Sequence, residues 1–107
     1  MGSFAFGVGG VPVQTTTNVP VSNTTYTVLP TDWGKQIQTS SGSATTITIA
    51  ASSLVGVPAG AVLAITQGGS GLVTVSGSGV TVRNTAIFAQ YVTIGFQLKA
   101  NGEVWGL

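Results

Sequence analysis

The stretch AVLAITQGGSGLVTVSGSGVTVRN, residues 61–84, decides the fold class of this chain. Residues 61–67 are nearly continuous in aliphatic side chains, as in a central strand. Gly68, Gly69 and Gly71 follow and open the positive-φ conformations that a tight reversal needs. Residues 72–76 and 80–84 then alternate apolar with polar on either side of Gly77, Ser78 and Gly79, which predicts a hairpin.

The same texture extends outward in both directions. In residues 45–50, Ile47 and Ile49 share one face while Thr46 and Thr48 share the other, the pattern of a half-buried strand. Residues 90–99 place Val92, Ile94, Phe96 and Leu98 together, and the Asn101-Gly102 turn leads into residues 103–107 as a second hairpin. Residues 24–29 are rich in β-branched and aromatic side chains and stop at Pro30, with Asp32, Trp33 and Gly34 leading into residues 35–39. Residues 51–60 read as loop, with room for one 3₁₀ turn before Pro58. No helical period and no strict internal repeat is present, so a solenoid is not expected. The expectation is an all-β domain, an antiparallel β-sandwich or jelly-roll-like fold of about eight short strands at the spacing typical of such domains. It occupies residues 24–107 and follows an extended N-terminal arm, residues 1–23.

In the arm, Phe4, Phe6 and Val8 fall on one face of an extended backbone, and Val11 and Val13 continue its apolar positions. Two courses are open to it: folding back on its own domain, or adding as a strand to a neighbour. The amino terminus lacks a basic region and is broken by Gly7, Gly9, Gly10 and Pro12, so it reads as neither a secretory signal nor a membrane span.

Composition narrows the chemistry. The chain has 107 residues, enough for one core, and 43% of them are hydrophobic, yet only 5% are charged where an ordinary domain has about 25%. The five ionised side chains are Asp32, Lys35, Arg83, Lys99 and Glu103; cysteine and histidine are absent. A net charge of +1 without a basic cluster gives no footprint for nucleic acid or an anionic membrane. No cofactor or metal is expected, and no catalytic residue stands out. Asp32 and Glu103 are the only carboxylate pair for a glycan hydrolase, but turn organisation and a solvated strand start are their ordinary roles, so an enzyme is not expected. Trp33, Tyr26, Tyr91 and Trp105 offer amphipathic area for a glycan platform, a subunit interface or simple packing. Arg83 stands out in a nearly uncharged strand, where it serves either a surface ion pair or a register-setting contact between subunits. So charge-poor a surface implies cover by copies of the chain or by another protein.

Residues 26–107 resemble a small β domain recurring in structural proteins of tailed bacteriophages: tail fibres, tip proteins and head-decoration proteins. The resemblance is carried by Tyr26-Thr27-Val28 before Asp32-Trp33-Gly34-Lys35, by Thr46-Ile47-Thr48-Ile49, and by Pro58-Ala59-Gly60 before Ile65-Thr66-Gln67 and its glycines. Val73-Thr74-Val75, Gly79-Val80-Thr81-Val82, Gln90-Tyr91 and the closing Trp105-Gly106-Leu107 complete it. The resemblance implies a homotrimer located in the virion. It also implies a decoration or cement role on the head, with the arm pairing with major capsid protein or another virion protein. The alternative it implies is a tail-fibre or tail-tip adhesin that binds host glycan through Trp33 and Tyr91.

Overall fold

The computed structural model describes residues 17–84 and 87–107. Among these residues ten strands form two sheets around one core. They are β1 (Asn18–Val21), β2 (Thr25–Thr27), β3 (Gln36–Thr39), β4 (Thr45–Ala50) and β5 (Val62–Gln67). The rest are β6 (Val73–Ser78), β7 (Val82–Arg83), β8 (Ile87–Phe88), β9 (Thr93–Leu98) and β10 (Val104–Gly106). The six-stranded sheet runs β1-β3-β5-β9-β10-β7, and the four-stranded sheet runs β2-β4-β6-β8. The all-β, two-sheet class expected from alternation is therefore present.

Strand direction differs from the expectation. From β1 to β6 the chain alternates between the sheets, and each strand lies parallel to the one two before it: β1 with β3, β3 with β5, β2 with β4, β4 with β6. The chain thus coils without a sequence repeat, because every turn of the coil has only to present inward apolar residues at the same height. The ladder Val19, Ile37, Ile65, Ile94 meets that requirement in one sheet, and Tyr26, Ile47, Val75 meets it in the other. Among the described residues antiparallel pairing is confined to β5 with β9, β9 with β10, and β6 with β8. The Asn101-Gly102 hairpin is among these, while the hairpin expected across Gly77, Ser78 and Gly79 is not formed. There β6 stays in the smaller sheet and β7 joins β10 in the larger, since the glycine run carries the chain across the core instead of back along it.

Two further details bear on the sequence reading. The 3₁₀ turn for which residues 51–60 leave room is formed by Ala51–Leu54. Asn18–Val21, placed in the arm by composition, form the edge strand of the larger sheet. Phe4, Phe6, Val8, Val11 and Val13 lie outside the described residues.

The bends at one end of the coil stack on one another. Ser40 N donates to Val21 O at 3.1 Å, Gly68 N to Thr39 O at 2.8 Å and Gly71 N to Ser41 O at 3.1 Å. Gln67 is fully buried at this stack and is bonded in every direction. Its Oε1 accepts from Thr39 Oγ1 at 2.7 Å and from Gly69 N at 2.8 Å, and its Nε2 donates to Gly71 O at 2.6 Å. A buried amide satisfied in this way costs little, whereas removing it takes from Gly69 N and Gly71 O the partner each has here, while Thr39 Oγ1 keeps Thr66 O at 3.2 Å.

The outer edge of β1 lacks one donor that strand addition would use. Thr17 O and Val21 O accept from Gln36 N and Ser40 N of the β3 side, so the odd-numbered residues turn their polar groups inward and Pro20 turns its donor-less nitrogen outward. Replacing the exposed Pro20 by Thr should leave stability within about 0.5 kcal/mol while increasing self-association, read by sedimentation velocity. An unchanged sedimentation profile would assign the protection of this edge to something else.

Candidate functional site

At the end of the coil opposite the Gln67 stack, the lead-ins to β3 and β5 form an open cleft of about 780 Å³. Its walls are Pro30, Trp33, Val55, Val57, Pro58 and Val62 among others, and Lys35 is the single ionised residue in the lining. The wall before β3 is held by Asp32, whose buried Oδ2 accepts from Tyr26 Oη at 2.6 Å and from Leu29 N at 2.8 Å. Trp33 donates through Nε1 to Ser53 O at 3.0 Å, which ties it to the 3₁₀ turn, and Ser53 Oγ in turn donates to Val28 O at 2.5 Å. Gly34, at φ 84°, adopts a conformation costly for other residues and donates from N to Val62 O at 2.7 Å.

Asp32 thus has the turn-organising geometry read from its position before Gly34. The Tyr26 phenol is pushed up from its ordinary value, first by burial, then by its hydrogen bond to Asp32 and by the charge of that carboxylate. Trp33 and Tyr26 are half-buried and pack against the core.

The four aromatics weighed as one platform stand apart. Trp33 sits near Val62 at one end of β5, whereas Tyr91 N donates to Gln67 O at 2.6 Å at the other. That is a separation of roughly 16 Å along the strand. Tyr91 is 81% exposed at φ 67°, beside the exposed Val92.

Trp105, on β10, belongs to a third group. Arg83 Nε and Nη2 donate to Glu103 Oε1 and Oε2 at 2.8 and 2.9 Å, a bidentate pair within the chain. It joins β7 to β10 where Arg83 and Trp105 are in register, and with the Arg83 side chain 53% exposed it is a surface ion pair within this chain. Trp105 Nε1 donates to Glu103 Oε1 at 3.0 Å, and Lys99 Nζ lies 5.3 Å from the Trp105 ring centroid, within cation–π range. Asp32 and Glu103 are not neighbours: in the larger sheet β5 and β9 stand between β3 and β10.

The Arg83 and Trp105 hydrogen bonds hold the Glu103 carboxyl well below the usual range, at about 2. Its folded-state value is depressed, so its contribution to stability is full above the ordinary carboxylate range and is lost as pH falls through about 2. Trp105 emission should therefore change with a midpoint near pH 2, and in Arg83→Gln that midpoint should move upward. An unshifted midpoint in the variant would remove Arg83 as the cause.

Among the described residues no group of three or more metal-ligating side chains of the His, Cys, Asp and Glu types comes together. Gln67 escaped the sequence reading, although the inward phase of Leu63 and Ile65 continues to it. No family model matches the chain, and no curated protein or solved structure matches it.

Proposed function

We propose that this chain is a structural protein of a tailed-phage particle, a decoration or cement subunit that lies on the head against copies of itself and capsid protein. The observation that carries the reading is how little exposed charge the folded surface has. Asp32 is buried and Arg83 is paired with Glu103, while Leu29, Leu72, Ile87 and Leu107 are each more than half exposed. A surface of exposed aliphatics, threonine and glycine suits contact with protein neighbours better than life as a lone subunit. Binding restricted to the assembled shell would stabilise it by mass action.

Contacts of this kind are weakly screened. Co-sedimentation with undecorated shells should persist from low ionic strength to roughly 1 M salt, and sedimentation velocity of the free protein should give a trimer. A freely dispersed monomer that stays in the supernatant at every salt concentration would sink the proposal.

The exposed Tyr91 ring favours a second reading, a tail-fibre or tail-tip adhesin for host glycan. Selective glycan-array binding lost in Tyr91→Ala would favour it over the cement role.

A further inference from the structure

The apolar cleft beside Trp33 has its occupant within tether reach. Thr17, the first described residue, gives its carbonyl to Gln36 N at 3.0 Å, and Gln36 follows Lys35 on the cleft rim. Asn18 is in register with Gln36, and Gln36 with Ala64, another residue of the cleft wall. Residues 1–16 therefore join the domain at the cleft's own end of the sheet, one strand from its wall. Residues 9–16 span up to roughly 28 Å, several times the roughly 5 Å between strands, so residues 4–8 reach the cleft with slack. Gly9, Gly10 and Pro12 supply the turn chemistry for a change of direction.

We propose that the cleft is the seat of this chain's own residues 4–8, with Phe4, Phe6 and Val8 set against Trp33, Val55, Val57 and Val62. The match is chemical as well as geometric. The segment is uncharged, with its three large apolar side chains at alternate positions, and the walls are valine, proline and one indole. At about 780 Å³ the cleft falls within the roughly 300–1,000 Å³ of sites that bury most of a ligand. A short tether gives the segment an effective concentration in the millimolar range, so it outcompetes the same segment of another copy at ordinary protein concentrations. This assigns the segment to its own domain, the first of the two courses open to it from sequence, and it does not depend on a virion role.

The absence of cysteine makes the test clean, because Ser3→Cys introduces a single attachment point for a nitroxide. In ¹⁵N-labelled chain diluted into unlabelled protein, the amides of Trp33, Gly34, Lys35, Val55 and Val57 should lose most of their intensity and recover when the nitroxide is reduced. Phe4→Ser with Phe6→Ser should keep the dispersion of a folded spectrum and abolish that broadening. No broadening at the cleft would overturn the assignment, as would broadening that survives the double variant. Broadening seen only when nitroxide-bearing unlabelled chain is mixed with ¹⁵N chain would overturn it too and give the seat to a second copy.

Discussion

Gly71→Ala is expected to abolish folding, with loss of the cooperative urea transition under conditions where the parent chain is native. A β-carbon at Gly71 would fall onto the carbonyl of Ser43 in the bend stacked beneath it, and the obstruction is backbone, which no rotamer change relieves. Nor can that bend move aside freely, because Thr45 Oγ1 donates to Ser43 O at 3.1 Å and Thr45 N to Leu72 O at 2.8 Å. The cost belongs with the overpacking and strain that exceed about 4 kcal/mol, a large part of the stability of a domain this size. Gly42→Ala is the matched control: the added carbon would meet only Ser70 Oγ at 3.4 Å, so a change within about 0.5 kcal/mol is expected. Equal urea midpoints for Gly71→Ala and the parent would show that the bends are not stacked as described.

Gln67→Leu should be the next most damaging substitution. It removes an acceptor from Thr39 Oγ1 and Gly69 N and a donor from Gly71 O, all at a site where Gln67 itself has no solvent exposure. Each orphaned group costs about 1–3 kcal/mol, and allowing for relaxation the sum is about 3 kcal/mol, or a melting temperature lowered by roughly 12–24 °C. Adding Thr39→Val should restore little of the loss, because the Thr39 hydroxyl keeps Thr66 O as an acceptor at 3.2 Å and the stranded groups are Gly69 N and Gly71 O. Calorimetry decides the matter. A single variant within about 0.5 kcal/mol of the parent would mean that water or a rearranged bend satisfies the stack.

These two positions also show where sequence reading reaches its limit. That Gly69 and Gly71 lie in a bend is evident from their run, but why alanine would fail at Gly71 depends on Ser43, a residue far away in the chain. Asp32 is legible as a turn organiser because its partners Leu29 and Tyr26 are local. The cleft is not legible, since residues 30–35 and 55–64 become its two walls only once β3 and β5 lie side by side. For the same reason residue type groups Trp33, Tyr91 and Trp105, while the fold separates them. Arg83 was conspicuous as a lone cation, yet its partner Glu103 follows only from the pairing of β7 with β10.

What the amino-acid order determined by itself is the strand texture and its phase. Ile47 and Ile49 face inward between threonines, β5 is central, and Asn101-Gly102 closes a hairpin, because side-chain alternation and turn propensity are properties of neighbouring residues. What only the tertiary structure decided is the direction in which strands pair. A period of two reads the same in parallel and antiparallel ladders, so the choice falls to contacts between distant bends, here the stacking of residues 68–72 on residues 40–44 about the Gln67 amide.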